Sequence, residues 1–208
     1  MHRTFSKLAI FTCAVLLIAG TGVASAQTDV YQVNYFANNF LVPDPPVKGA
    51  VNAFLDETVR IDNPGTTYAN LCANIYVYDN DQQLTECCSC VETPNGLRTL
   101  SVSRDLTSNP LTGRISNNGV VKIVSSRDNG VCDPTHVTPV PALRAWATHF
   151  DLLQNQPAAR TTVPGVLTET TFTRVTLGAG ELAALQAQCQ FIGILGSGNG
   201  ICTCGTGD

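Results

Sequence analysis

The sequence predicts a mainly β protein, an antiparallel β-sandwich with one C-terminal α-helix and a disulfide-tied tail. Three observations lead to this prediction. Short segments that alternate apolar and polar residues recur between Gly, Pro and Asn turn signals. One segment near the C-terminus has the helical spacing of apolar residues. Finally, eight of the nine cysteines follow an N-terminal export-type segment, and an even cysteine count is typical of a disulfide framework.

The first 26 residues have the three parts of a secretory signal peptide. Arg3 and Lys7 give a positive start, Leu8–Ala19 forms a short apolar run, and Ala24-Ser25-Ala26 is a small-residue cleavage site. We therefore expect Gln27 to begin the mature chain and the protein to be secreted or held at the cell surface. The apolar run is too short to cross a bilayer, so the sequence predicts no membrane span.

The charge balance argues against nucleic acid or an anionic membrane as partner. Removing Arg3 and Lys7 leaves 10 basic residues against 16 acidic ones, a net charge of −6 with histidine neutral. The sequence also lacks a glycine-rich phosphate loop, a His-Glu-x-x-His motif and a haem-attachment Cys-x-x-Cys-His motif. No cofactor is predicted.

Residues 27–49 are predicted to form an N-terminal strand and a Pro-rich linker. Tyr31, Val33 and Tyr35 alternate with polar residues within Val30–Val42, and Pro43-Asp44-Pro45-Pro46 follows as a stiff extended segment. Two alternatives are open for the apolar strand. It pairs within its own domain, or it adds to the sheet of a neighbouring subunit, the strand-addition mode that builds extracellular fibres.

Residues 50–177 are predicted to form the β-sandwich domain. The clearest strand has Leu71, Ala73, Ile75 and Val77 on one face, and Asn74, Tyr76 and Tyr78 on the other. Further strands separated by turn signals are predicted at Thr58–Ile61, Leu97–Val102, Val120–Val124, Leu143–Leu152 and Thr170–Leu177.

The start of this domain resembles a known kind of module. The run Thr58-Val59-Arg60-Ile61-Asp62-Asn63-Pro64-Gly65, followed by an alternating strand, is similar to the opening of the immunoglobulin-like β-sandwich modules of bacterial surface proteins. The resemblance covers about a fifth of the chain, and the cysteine cluster and cysteine-containing tail depart from it. It implies a structural or binding role and no catalysis.

Residues 178–208 are predicted to form a helix and a tail. Leu182, Leu185, Cys189 and Ile192 fall on one stripe of a helix over Ala179–Leu195, and a glycine ends the pattern. The tail beyond it is rich in Gly, Ser and Thr, so its order depends on its two cysteines.

The eight mature cysteines have three interpretations. In the interpretation we prefer, all eight form disulfides that stabilise the fold. Alternatively, Cys87 and Cys90 form a redox-active Cys-x-x-Cys pair. In the third interpretation, Cys87 and Cys90 bind zinc together with Cys202 and Cys204. Neighbouring Cys87 and Cys88 should bond to different partners. We expect the tail cysteines to bond back to the 87–90 cluster and the helix cysteine to bond into the sandwich. The predicted disulfide cysteines are Cys72, Cys87, Cys88, Cys90, Cys132, Cys189, Cys202 and Cys204.

Candidate catalytic and metal-binding residues are few. His149 and Asp151 would share one side of a strand and could pair, with Ser101 or Ser103 as nucleophile, but a lone histidine between aromatic residues is more often structural. The Asp79-Asn80-Asp81 loop begins like a calcium loop and then departs from the pattern. A calcium site that also uses Asp62, Asp105 or Asp128 is the alternative to ordinary solvated turns.

The sequence thus favours an exported, disulfide-stabilised structural or adhesive protein of the bacterial surface or extracellular space, with self-assembly as one form of that role. Its partners would then be itself or other surface proteins. The first alternative is a module that binds a glycan or another ligand, with Tyr76, Tyr78 and Trp146 as a candidate platform. The second alternative is a hydrolase that uses His149 and Asp151. We expect no enzymatic activity.

Overall fold

The computed structural model describes residues 31–38, 56–152 and 165–205. Within these ranges the chain forms nine strands, one short π-helical turn and one α-helix. The strands are β1 (Tyr31–Ala37), β2 (Thr58–Asp62), β3 (Leu71–Asp79), β4 (Leu84–Glu92), β5 (Leu97–Ser101), β6 (Asn118–Arg127), β7 (Arg144–Leu152), β8 (Gly165–Thr171) and β9 (Thr173–Val175). The π-helical turn is Val102–Leu106, and the helix α1 is Ala179–Leu195.

The strands form two antiparallel sheets. One has five strands in the order β4-β3-β6-β1-β9, and the other has four in the order β5-β2-β7-β8. A shared core contains Ile61 and Leu100 from the four-stranded sheet together with Ile75 and Ile123 from the five-stranded sheet, all fully buried. The prediction of a mainly β protein with two antiparallel sheets and a C-terminal helix is confirmed.

The five-stranded sheet is covered on both faces. Its outer face packs against α1 through a second core that contains Tyr31, Tyr76, Val124, Leu185 and Cys189. This explains why both sets of alternating side chains on β3 are buried from Leu71 to Val77. The outer face of the four-stranded sheet is not covered by α1, because the helix packs on the five-stranded sheet.

The N-terminal strand pairs within its own chain. β1 lies inside the five-stranded sheet, antiparallel to β6 on one side and to β9 on the other. Tyr31 and Phe36 are buried there, with 6% and 1% of their surface exposed. Of the two alternatives for this strand, the structure shows the intramolecular one. The proline-rich linker at 43–46 lies outside the described residues.

Two segments differ from the sequence-based prediction. The cysteine cluster lies on a nine-residue strand, β4, which we did not predict because its polar Thr, Glu and Ser residues hide the alternation. The predicted strand Thr170–Leu177 is instead the end of β8 and the whole of β9, which belong to different sheets. Buried Phe172 lies at the crossing, and its N–H donates to the Ala145 carbonyl at 2.9 Å.

The helix begins and ends where its pattern predicts. Leu185, Cys189 and Ile192 are buried, and Leu182 packs against the same cluster. The Gly196 N–H closes the last turn on the Ile192 carbonyl at 2.7 Å. In the described part of the chain, no helix combines the length and the apolar character needed to cross a membrane.

Candidate functional site

Four disulfides connect the eight predicted cysteines. They are Cys72–Cys132, Cys87–Cys189, Cys88–Cys202 and Cys90–Cys204, with Cα separations of 5.2 to 5.9 Å. Side chains alternate along β4, so Cys87 points to the helix while Cys88 and Cys90 point into the core between the sheets. The helix and tail cysteines bond where we expected. Cys87 and Cys90 have different partners, so they do not form a Cys-x-x-Cys disulfide, and the four proposed zinc ligands are all oxidised. Several disulfides suggest an extracytoplasmic protein.

The C-terminal tail closes one edge of the sandwich. β4 and β5 are edge strands of their sheets. The tail is bonded to β4 by the Cys88–Cys202 and Cys90–Cys204 disulfides, and Arg98 on β5 donates a hydrogen bond to the Cys204 carbonyl. The Cys87 N–H donates to the Gly200 carbonyl at 2.9 Å, and the Thr203 N–H donates to the Asp105 carbonyl at 2.8 Å. The first of these two bonds gives β4 a backbone partner from the tail, and with the two disulfides it covers part of an edge that could otherwise pair with another chain.

A buried carboxyl group lies beneath this tail. Glu86 on β4 is fully buried, and its Oε1 accepts a hydrogen bond from the Asn109 N–H at 2.9 Å. Its Oε2 has no hydrogen-bond partner among the described residues. Burial raises the pKa of Glu86 to about 8, although the Asn109 hydrogen bond acts in the opposite direction. Nothing in the local sequence distinguishes this glutamate from an exposed one.

His149 lies in a buried polar network that the sequence did not reveal. Its Nδ1 is 3.1 Å from Glu57 Oε2, and its Nε2 is 2.7 Å from Thr170 Oγ1. The Asn34 side-chain amide donates to the same Thr170 hydroxyl at 2.9 Å. The Tyr35 ring stacks on the imidazole with centroids 4.3 Å apart. The network therefore joins β1, β7, β8 and the residue before β2.

This network has the order of groups found in catalytic triads, carboxylate, imidazole and hydroxyl, but it is buried. His149 is 1% exposed, so a substrate cannot reach the imidazole without opening the sandwich. Both ring nitrogens are engaged by Glu57 and Thr170, and the Asp151 side chain lies outside the described residues. Ser101 donates its hydroxyl hydrogen bond to Asp56 instead of to the histidine.

The outer face of the four-stranded sheet carries Trp146. This side chain is half-buried on β7, opposite Arg60 on β2 and Thr171 on β8. Arg60 forms an ion pair with Glu169 on β8, which also accepts a hydrogen bond from Thr148 at 3.5 Å. Further along the same face are half-buried Phe150 and its cross-strand neighbour Leu167, which is 70% exposed. We call these residues on the outer side of β2, β7 and β8 the open face.

The two tyrosines of the candidate platform lie on the other sheet, under α1. Tyr76 is fully buried, its hydroxyl donates to the Pro134 carbonyl at 2.6 Å, and burial raises its pKa. Tyr78 is half-buried and hydrogen-bonded to Gln188, and burial raises its pKa to about 12. The Lys122 ammonium lies 4.6 Å from the centre of the Tyr78 ring. The structure therefore places only Trp146 of these three on the open face.

The candidate calcium ligands do not come together. In the described ranges, the one group of three metal-ligating side chains within reach of one another is Cys72, Asp128 and Cys132, and its two cysteines form a disulfide. The Asp79 carboxylate accepts hydrogen bonds from two backbone N–H groups of its own loop, at 3.0 and 2.8 Å. This is the arrangement of a closed turn.

Comparisons with known proteins give no family. No family model matches the sequence, and no curated protein matches it. Among solved structures, the chain matches "Crystal Structure of Thermotoga maritima 1070" with 12% sequence identity and a TM-score of 0.39, over 70% of this chain and 95% of that chain. The described part of the chain is a disulfide-bonded protein of two antiparallel sheets and one C-terminal helix.

Proposed function

We propose that this chain is an exported structural or adhesive protein of the bacterial surface or extracellular space, and that its open face is the contact surface. The proposal rests on the difference between the outer faces of the two sheets. α1 covers the outer face of the five-stranded sheet, whereas the outer face of the four-stranded sheet presents Trp146, Phe150 and 70% exposed Leu167 beside an Arg60–Glu169 ion pair. Aromatic residues and arginine are the side chains that dominate binding surfaces.

Export and the immunoglobulin-like assignment belong to the same proposal. The signal-like residues 1–26 and the four disulfides support passage to an oxidising compartment. A five-stranded sheet packed on a four-stranded sheet is compatible with an immunoglobulin-like module. The second candidate, a glycan-binding module, draws support from Trp146, because an indole ring beside polar side chains suits a sugar face. We propose no catalytic role, since His149 is closed off by its own partners.

The test compares variants of the open face with a control elsewhere. Trp146→Ala and Leu167→Gln alter the face, and Leu167→Gln should leave the fold intact because its side chain is 70% exposed. Tyr68→Gln is the matched control, an aromatic side chain that is 92% exposed in a loop. Sedimentation velocity measures self-assembly, whole-cell binding measures adhesion, and a glycan array measures sugar binding.

Loss of self-assembly or cell binding in both face variants, with the Tyr68→Gln control unchanged, would support the structural or adhesive role. Loss confined to glycan binding would favour the second candidate. If all variants behave like the unmodified protein in every assay, the open face is not the contact surface and the proposal fails.

A further inference from the structure

A groove lies on the other side of the molecule, between α1 and the β3–β4 hairpin. Its volume is about 510 Å³, which is within the range of small-molecule sites. One wall comes from α1, the second from Leu84 and its neighbours at the start of β4, and the third from Leu111 in the loop after the π-helical turn. This groove is separate from the open face, because α1 covers the five-stranded sheet.

The walls of the groove are held in place. The Cys87–Cys189 disulfide joins β4 to the middle of α1. The loop that carries Leu111 is tied down at Asn109, whose N–H donates to Glu86 and whose carbonyl accepts from the Gly200 N–H at 2.5 Å. The groove is thus formed before any ligand arrives, which lowers the entropic cost of binding.

The described residues that line the groove are apolar or carry amide or hydroxyl groups, and none of them is charged. Leu84, Leu111, Phe191 and Ile192 provide the apolar surface, and Phe191 is 60% exposed although it is a large aromatic side chain. Gln82, Gln83 and Gln188 provide amides, and among the described residues no Asp, Glu, Lys, Arg or His lines the groove. The Gln82 and Gln83 side chains make no hydrogen bond within the described residues. A charged ligand would lose its hydration here without gaining a counter-ion.

We propose that this groove binds an uncharged amphipathic small molecule, with an apolar body against Phe191 and Leu84 and a hydroxyl or amide end hydrogen-bonded to the glutamine amides. The size of the groove favours a small molecule over a protein partner, whose interface would need about 800 Å² on each side. The uncharged side chains of the described lining favour such a ligand over a fatty acid anion or a phosphate ester, for which they offer no counter-ion.

The experiment uses the folded, disulfide-bonded protein and the uncharged fluorophore N-phenyl-1-naphthylamine. We expect saturable fluorescence enhancement at one site per chain. 1-Decanol should displace the probe, and decanoate at neutral pH should be at least about tenfold weaker. Equal displacement by decanoate, or no saturable signal, would overturn the proposal.

Variants locate the site. Leu84→Gln and Phe191→Gln should each weaken probe binding by about tenfold, because each removes apolar surface from the groove. Ile194→Gln is the matched control, since Ile194 is 74% exposed on the same helix and does not line the groove. Equal weakening in all three variants would show that the probe binds the exposed helix surface, or a contact between two copies, and not the groove. Circular dichroism of each variant confirms that the fold is retained.

Discussion

The most informative single substitution is Glu86→Gln. Glutamine has the size of the glutamate side chain and its oxygen can still accept the Asn109 hydrogen bond, but it cannot ionise. The pKa of Glu86 is raised to about 8 by burial, against an ordinary value of 4.5. Between these two pH values the native protein holds a proton on Glu86 that the unfolded chain has released.

The sign of the pH effect follows from this difference. The stabilising contribution of Glu86 is fully present below about pH 4.5, falls as the pH rises towards 8, and is lost above it, because folding then has to bury a charge. The slope is about 1.4 kcal/mol per pH unit, which gives a total on the order of 4 to 5 kcal/mol across the window. The Glu86→Gln variant should not show this loss.

The assay is guanidinium unfolding with the disulfides intact, followed by the fluorescence of Trp146, the single tryptophan. Unfolding free energies are measured at pH values from 4 to 9 for both proteins. The difference between the two curves cancels every other titrating group, so its slope belongs to position 86. We expect the variant to gain stability relative to the unmodified protein as the pH rises. A difference that stays constant within about 0.5 kcal/mol across the range would refute the raised pKa.

Three further predictions follow from the disulfides and the tail. The exported protein should show no titratable thiol and no bound metal, and its mass should be about 8 Da below that of the reduced chain, because each bridge removes two hydrogens; four thiols with one zinc would contradict the disulfide assignment. Replacing Cys202 and Cys204 with serine should expose the tail to limited proteolysis near residue 196 and cost about 4 to 5 kcal/mol. The second bridge adds little to the unfolding free energy, because both bridges close nearly the same loop, with a sequence separation of 114. Equal cleavage of the variant and the unmodified protein would show that the bridges do not anchor the tail. Gly200→Ala should destabilise the protein more than Gly198→Ala, by about 1 to 3 kcal/mol. Both glycines have positive φ, at 77° and 100°, but only a Cβ at 200 would meet Ile192 Cγ2, at 2.0 Å. Thermal unfolding measures the stability of the two variants. Equal losses of stability would show that the cost comes from the positive φ alone and not from the contact with Ile192.

The elements that could be predicted from the sequence are those whose residue pattern is local. The alternation from Leu71 to Tyr78 and the stripe from Leu182 to Ile192 each occupy neighbouring positions in the chain, so the face that each residue joins follows from the period of a strand or helix. The even cysteine count and the different partners of Cys87 and Cys88 were also predictable from the sequence, because a disulfide between neighbouring residues is strained.

Features that depend on contacts between residues far apart in the chain could not be predicted from the sequence. Glu57 and His149 are 92 residues apart, and only the packing of β7 beside β2 brings them together. The burial of Glu86 depends on a loop and a tail that come later in the chain, and the split of the predicted last strand depends on where Phe172 enters the core. The alternation of apolar and polar residues along a strand carries no information about such contacts, because the same local sequence could also form an exposed strand. The open face was likewise decided by the position of α1, which covers one sheet and leaves Trp146 on the other.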